Sequence, residues 1–485
     1  MPLIDTRRGQ VRGLDDNGVM SFLGLRYGQP PVGELRFMPP VPASGWEGVL
    51  DATRWPNRAM QAKTAGSMDQ VVPGQLSEDC LFLNVTTPGV DGTHRPVLVW
   101  IHGGGFASGS ANEYDGRVLS RQGDAVVVTI NYRLGTFGFL DLSPLGPEFD
   151  GSASNGFRDM MLALQWVREN IADYGGDPTN VTIIGESAGA KAVLGLLAAP
   201  QAEGLFHKAI ANSPGAPRAP EGNQIPTIAK KLGVEEGEVL SALRQMSASE
   251  LQKAELPAGG RIDGTVVTRP PIEAIAARGG QGVPLIVGTN RNEGSLFTSP
   301  DSPDEDMGQY EKWHVGSARD VLGDRDPTAY ISWMNDTYAN AKVVCEELWT
   351  AIFRRAAIEA AEASTLAGPG GWLYRFDLPT TKEHEGKLTG ATHACEMAFT
   401  FNAFVDPDCH VFTYHDRDDA TVKTLASHWS DTVLAFASSG DPNGGGLPEW
   451  SAYASPDRAC MILDAESRIE SDPDAKQRAF WDSES

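Results

Sequence analysis

Ser187 stands at the centre of the stretch V-T-I-I-G-E-S-A-G-A-K-A-V-L-G-L-L, residues 181–197, with Gly185 and Gly189 two positions away on either side. The four residues before Gly185 are β-branched and spell a short buried strand, whereas the small and apolar residues after Ser187 suit a packed helix. G-x-S-x-G between a strand and a helix predicts a sharp turn in which glycines are required, because side chains there would clash. The serine is then held on strained backbone above the strand end, with a helix N-terminus behind it. A serine hydroxyl is a poor nucleophile unless a neighbouring base takes its proton and an acid orients that base. The chemistry this spacing could perform is acyl transfer. Ordinary βα loops also contain serines, so the rest of the chain has to decide.

The elbow is the signature of the α/β-hydrolase fold, where chain order runs nucleophile, acid, histidine and the partners lie at downstream strand ends. Glu293 fits the acid: it follows the apolar strand V-P-L-I-V-G within the loop T-N-R-N-E-G. A glutamate in a polar loop is more commonly a solvated surface group. Six of the nine histidines follow Glu293. His393 stands out, in a Gly/Ala/Thr-rich loop after the strand Trp372–Phe376. His384, His410 and His415 sit among charged residues and read as solvent-facing, and His428 reads as a packing residue within a helix. An anion site is also needed. His102-Gly103-Gly104-Gly105 directly follows the apolar strand Val97–Ile101. The N–H groups of Gly104, Gly105 and Ala188 are therefore the expected donors to an oxyanion.

These residues need a scaffold. Strand-length runs at 81–86, 97–101, 125–132, 209–212, 283–288 and 371–376 alternate with helical stretches at 155–171, 328–338, 341–366 and 420–438. That alternation predicts an α/β fold with a large, mostly parallel central sheet covered by helices on both faces. The expected inward face of the 155–171 helix is Met161, Leu164, Val167 and Ile171. Residues 6–27 read as a pair of strands, the Pro-rich run 30–42 as extended chain, and the 420–438 helix as the element that closes the fold. With no linker or repeat in view, one domain over 1–485 is expected. Helical insertions at about 214–282 and 299–370 would form the rim of an active-site gorge.

Lys and Arg number 40 against 64 Asp and Glu, a net charge of −24 that argues against nucleic acid and anionic membranes as partners. No apolar run reaches membrane-spanning length. The start, M-P-L-I-D-T-R-R-G, lacks the apolar centre of a signal peptide. Five scattered cysteines show no metal-ligand spacing. A cytoplasmic location with free thiols, no metal, no cofactor and a monomeric state are the expectations.

Ordered motifs along most of the chain resemble the type-B carboxylesterases, the family of bacterial p-nitrobenzyl esterases, mammalian carboxylesterases and cholinesterases. They are P-P-V-G-E-L-R-F at 30–37, S-E-D-C-L-F-L-N-V at 77–85, V-W-I-H-G-G-G-F at 99–106, N-Y-R-L-G-T-F-G-F-L at 131–140, N-G-F-R-D-M-M-L-A-L-Q-W-V at 155–167 and Y-G-G-D-P-T-N-V-T-I-I-G-E-S-A-G at 174–189. The resemblance implies a Ser187–Glu293–His393 triad and a buried, supporting Glu186. Glu396 is expected to hydrogen-bond within the histidine loop. The glycine usual after the triad histidine is Ala394 here, and a proline further on is Ala398, so the loop is expected to run differently. In secreted relatives Cys80 pairs with a cysteine in the stretch resembling P-N-R-A-M-Q at 56–61, where this chain has Met60. The tryptophan that holds quaternary ammonium groups in cholinesterases is also missing from 61–79, which disfavours choline esters.

The function implied is hydrolysis of short-chain or aromatic, xenobiotic-type esters, the partners being a small ester and water. Phe106, Glu186, Phe399 and Phe401 are candidate pocket residues. Carbamate, amide or lipid hydrolysis on the same groups is the alternative, and a non-catalytic binding protein is disfavoured by the intact triad. As a neutral histidine must act as base, activity is expected to fall as pH drops through about 6.5 if that group is unperturbed.

Overall fold

Four short strands open the chain: β1 (Leu3–Thr6), β2 (Gly9–Arg12), β3 (Leu14–Asp16) and β4 (Val19–Arg26). The structure is a computed structural model, and it describes residues 1–62, 72–215, 222–278, 282–298, 321–322, 326–383, 386 and 388–482. Where the sequence suggested a pair of strands at 6–27, β1 and β2 join β5 (Val49–Asp51) in a small separate sheet, while β3 and β4 begin the main one. The Pro-rich run is extended apart from a 3-10 turn at Gly33–Leu35 and the turn that follows it, where Phe37 takes φ 68. A two-residue pair, β6 (Arg58–Ala59) with β7 (Leu76–Ser77), lies between.

The remaining strands are β8 (Phe82–Thr87), β9 (Arg95–Ile101), β10 (Val126–Ile130), β11 (Gly176–Glu186), β12 (Lys208–Asn212), β13 (Leu285–Asn290), β14 (Gly371–Phe376), β15 (Ala459–Leu463) and β16 (Arg468–Ser471). With β3 and β4 they make an 11-stranded sheet in the order β16-β15-β14-β13-β12-β11-β9-β10-β8-β4-β3. Every pairing from β10 across to β15 is parallel, and antiparallel strands finish both edges.

Side chains of the central strands divide strictly by parity. Val97, Val99 and Ile101 of β9 enter one core, and Leu98 and Trp100 enter the other; Val126, Val128 and Ile130 of β10 part from Val127 in the same way. Apolar residues on both faces are what a strand buried under two helical layers requires. The first core is filled by α3 (Asn155–Asn170), α4 (Ala188–Ala198) and the 26-residue helix Ala341–Leu366; the second is filled by helix Ala420–Ser439 and the segment 397–404. Two smaller helices, α1 (Arg117–Gly123) and α2 (Gly135–Phe139), precede them. In α3 the innermost methionine is Met160; Met161 is half-buried.

The first insertion carries helices at Ile225–Leu232, Val239–Gln245, Ala248–Lys253 and Pro271–Ala277. A small apolar cluster of its own, including Ile228, Leu243 and Leu251, packs on Phe137 and Phe149. Much of the second, 299–320 and 323–325, lies outside the described residues. Helix Ala420–Ser439 does not close the fold as expected: β15, β16 and a final helix, Ala475–Asp482, follow it. The run A-C-M-I-L of β15 is short enough for a strand or one helical turn, and only its place beside β14 decides between them.

One buried ion pair locks three of these parts together. Arg133, just after β10, is 2% exposed and forks onto Asp159 of α3, with Nη2–Oδ1 at 2.7 Å and Nε–Oδ2 at 2.8 Å. The Arg133 N–H donates to the same carboxylate, and its Nη1 donates to Met38 O in the Pro-rich segment. Asp159→Ala would leave a guanidinium buried and unpaired, a situation worth about 3–5 kcal/mol of stability. Urea unfolding followed by tryptophan fluorescence should show that loss as a lowered midpoint. Replacing both partners by leucine should recover most of it.

Candidate active site

β11 ends at Glu186 and α4 begins at Ala188, so Ser187 is the whole connection. Its backbone sits at φ 56, ψ −120, a conformation that a side chain makes costly. Two hydrogen bonds hold it there: Ser187 N–H donates to Asn212 O at the end of β12, and Lys191 N–H donates to Ser187 O, both at 2.9 Å. The flanking glycines leave no room for anything larger. A Cβ on Gly185 would lie 2.4 Å from Gly189 C, and one on Gly189 would lie 2.0 Å from Ile101 O. Ser187 is half-buried while its neighbours on both sides are fully buried, so the hydroxyl is the part of the elbow that reaches outward.

Glu293 opens a 3-10 turn just beyond β13 and is fully buried. Its Oε1 accepts from Ser213 Oγ at 2.5 Å and from Asn290 N–H at 2.6 Å, leaving Oε2 to face His393 Nδ1 at 2.6 Å. The loops that carry Glu293 and His393 are stitched together: Asn292 N–H donates to Ala391 O, Ala391 N–H donates to Asn292 Oδ1, and Ser295 Oγ donates to Thr392 Oγ1. Below them, Arg354 of the 341–366 helix donates to Asn290 O at 2.9 Å and pairs with Asp474 at 3.1 Å. Ala394 takes φ 67, the left-handed backbone that glycine adopts freely, so the alanine keeps that conformation at a cost of roughly 1–2 kcal/mol. Ala398 is fully buried in the short helix Met397–Thr400.

Three carboxylates surround His393. Glu293 holds Nδ1, and Glu186 Oε1 lies 3.1 Å from Nε2 without the alignment of a hydrogen bond. Glu396 accepts from Asn290 Nδ2 on β13 at 2.6 Å. Burial alone would lower the His393 pKa, but Glu186, Glu293 and Glu396 outweigh it and raise it to about 9. Glu186 is pushed up to about 8 by burial, opposed by His393 and reinforced by Glu396 and Glu293. Glu396 is pushed up to about 7, by burial and then by Glu293. Among the described residues no hydrogen bond joins Ser187 Oγ to His393 Nε2.

The glycine turn lies directly on the elbow: a Cβ on Gly103 would meet Glu186 O at 2.7 Å and Ser187 Cβ at 3.1 Å. Gly104 and Gly105 follow with φ 92 and 64. His102 stacks on Tyr132, with centroids 4.4 Å apart, and burial drives its pKa down to about 4, so it stays neutral. Glu186 lies beneath the site, 3% exposed. Phe106 is nearly buried against Phe139 and Phe157. Two pocket candidates are corrected. Phe399 packs among Phe376, Phe404 and His415, and Phe401 packs on Trp100 and Tyr114, both deep in the second core.

Among the described residues, the aromatic rings beside His393 are instead Phe297 and Phe353, at 5.1 and 4.8 Å between centroids, with Trp349 stacked on Phe297. Phe297 is 43% exposed, a large apolar ring left open beside the histidine. It follows Glu293 by four residues, a proximity visible in the sequence; Phe353, midway along a helix, carries no such signal. Asn290, which holds Glu293, brackets it in the same loop of the sequence, whereas Ser213, its other partner, carries no signal. Of the other histidines, His415 is fully buried rather than solvent-facing, His410 is exposed, His428 is half-buried, and His384 lies outside the described residues. Among the described residues no group of three His, Cys, Asp or Glu side chains is arranged to hold a metal.

Comparison with known proteins points the same way. A model described as the carboxylesterase family matches residues 1–481. The chain is 37% identical to para-nitrobenzyl esterase of Bacillus subtilis (strain 168), over 98% of this chain and 97% of that protein. It is 31% identical to phenmedipham hydrolase of Pseudarthrobacter oxydans, over 95% of each. Its fold is similar to that of a carboxylesterase from Geobacillus stearothermophilus, with a TM-score of 0.84 and 35% identity over 99% of both chains. Likeness sustained over the full length of such relatives leaves one assignment: this chain belongs to the carboxylesterase family, type B, on the α/β-hydrolase fold.

Proposed function

We propose that the protein is a serine esterase acting through an acyl-enzyme on Ser187, with Glu293 and His393 completing the triad. The observation that carries this reading is the fully buried Glu293, held on one oxygen by Ser213 and Asn290 and facing His393 Nδ1 at 2.6 Å with the other. A carboxylate so placed fixes the ring with Nε2 free to serve as base and stabilises the imidazolium that forms. Ser187 Oγ adds to the ester carbonyl as His393 Nε2 takes its proton. The carbonyl oxygen becomes anionic and is met by the N–H groups of Gly104, Gly105 and Ala188. His393 then protonates the departing alcohol, and a water activated by the same nitrogen releases the acid. Contacts of this kind tighten when substrate fills the site, which draws Nε2 from Glu186 toward Ser187.

The substrates in this reading are small esters with an aromatic alcohol portion, supported by the open Phe297 ring beside the histidine that protonates the leaving group. One domain over 1–485 and a reducing compartment complete it. The five cysteines are all buried thiols, and no described helix is long and apolar enough to cross a membrane.

Ser187→Ala should cut p-nitrophenyl acetate hydrolysis on the order of 10⁴-fold or more; anything beyond a trace of remaining turnover refutes the assignment. Phe297→Ala should raise KM for benzyl acetate several-fold while leaving ethyl acetate little changed, and equal effects on both would remove the aromatic preference. A panel adding phthalate diesters and phenyl carbamates would rank the ester classes.

The pH profile follows from the carboxylate cluster. His393 must be neutral to accept the proton, and its pKa is raised, so activity is lost as pH falls through a value above the ordinary 6.5. The acid limb of kcat/KM should therefore lie on the alkaline side of 6.5, and Glu186→Gln should shift it toward acid. A limb at 6.5 that is indifferent to Glu186 would contradict the electrostatics.

A further inference from the structure

One side chain grips the segment just past the glycine turn from outside. Gln61, half-buried two residues beyond β6, bonds both backbone groups of Gly109: Gly109 N–H donates to Gln61 Oε1, and Gln61 Nε2 donates to Gly109 O, each at 2.9 Å. Nε2 also donates to Ala59 O at 3.1 Å, which orients the amide against its own strand. Two bonds to one residue fix both the position and the rotation of its peptide groups, which one bond cannot do.

Gly109 is in turn pressed against the start of the turn. Its φ is 101, and a Cβ there would lie 2.5 Å from His102 Nδ1 and 2.8 Å from Gly103 O. Between the two ends, Ala107 N–H and Ser108 N–H both donate to Gly104 O at 2.9 Å, and Ser108 Oγ donates to the same oxygen at 3.2 Å. The path from Gln61 to Gly104 thus runs through short hydrogen bonds and contacts with no slack. The segment carrying Gln61 is anchored as well. Asn112 Nδ2 donates to Pro56 O, Asn131 Nδ2 donates to Asn57 O, and Arg58 Nε donates to Gly74 O.

We infer that Gln61 is a positioning residue for ester hydrolysis, its two-bond grip on Gly109 holding the N–H groups of Gly104 and Gly105 where the oxyanion forms. This rests on the reading of those groups as oxyanion donors. Donors aimed at a developing charge act on the transition state and hardly at all on the neutral ester, so their misplacement lowers kcat and spares KM. A displacement of about 1 Å at such a site costs on the order of a hundredfold.

The test uses full-length Gln61→Ala and Gln61→Glu. The second keeps an acceptor for Gly109 N–H and loses the donor to Gly109 O. Gln61→Ala should lower kcat for p-nitrophenyl acetate roughly tenfold to a hundredfold with KM within about twofold, and Gln61→Glu should lie between it and the parent. An aryl trifluoromethyl ketone reports on the same geometry. Ser187 Oγ bonds to its carbonyl carbon, the proton passes to His393, and the carbonyl pair becomes an alkoxide in the oxyanion position. Its affinity should fall by the same factor as kcat, while inhibition by benzyl alcohol, which stays neutral, is unchanged. Unchanged ketone affinity, or a raised KM at full kcat, overturns the proposal. Should Gln61→Ala lose its native melting transition, the Gln61→Glu comparison decides on the same criteria. Ser187→Ala, assayed alongside, separates the two levels of the reading. If it is as active as the parent, the esterase mechanism falls and the grip with it; if it is inert while the Gln61 variants are fully active, only the grip falls.

Discussion

Everything at this site depends on how closely the start of α4 approaches the end of β9. Gly189 has no side chain because Ile101 O occupies the place where one would be, and Ile101 is the last residue before His102 and the glycine turn. The same contact therefore sets the height of Ser187 and the height of the turn opposite it. Their separation is a property of sheet packing rather than of loop conformation. A site built on strand ends in this way is more exact than one built on free loops.

The second organising feature is the amount of negative charge kept out of water around His393. Burying a carboxylate is expensive unless it is hydrogen-bonded or paired. Only Glu293 is satisfied on both oxygens; Glu186 Oε1 and Glu396 Oε1 have no hydrogen-bond partner. The cluster compensates by retaining protons into the alkaline range, and those protons belong to the group rather than to any one member. The rigid arginine brackets elsewhere, Arg133 on Asp159 and Arg354 on Asp474, are of the opposite kind, with charge matched by charge.

Much of this was legible in the chain. Strand–turn–helix periodicity set Ser187 between a strand and a helix, and apolar runs followed by a polar loop and by a Gly/Ala/Thr-rich loop set Glu293 and His393 beyond strand ends, because a parallel sheet puts all such loops at one end. The long helix at 341–366 was read to its exact ends, since its apolar residues recur at helical spacing without interruption. What failed was anything decided by a neighbour remote in sequence. Phe399 and Phe401 look like pocket aromatics beside His393 but point into the second core. His415 sits among charged residues in sequence and is nevertheless fully buried. Ser213 steadies Glu293 from just past the end of β12, and nothing in its own surroundings marks it. The strands β15 and β16 carry no clear signal: a five-residue apolar run has no periodicity long enough to name, and R-I-E-S of β16 is short and mostly polar.

The brace formed by Arg354 and Asp474 bears on how the protein comes into being. Asn290, which steadies Glu293, is held by Arg354; Arg354 is buried and answers to Asp474, which lies beyond β15 and β16. A nascent chain emerging from the ribosome can thus carry the elbow and most of the sheet's strands while the guanidinium beneath the Glu293 loop still lacks its ion-pair partner Asp474. Long-range closure of this sort is slow. The order of synthesis delays this brace until Asp474 has been made, and chains that stop short of it are left with the scaffold but an incomplete support under Glu293.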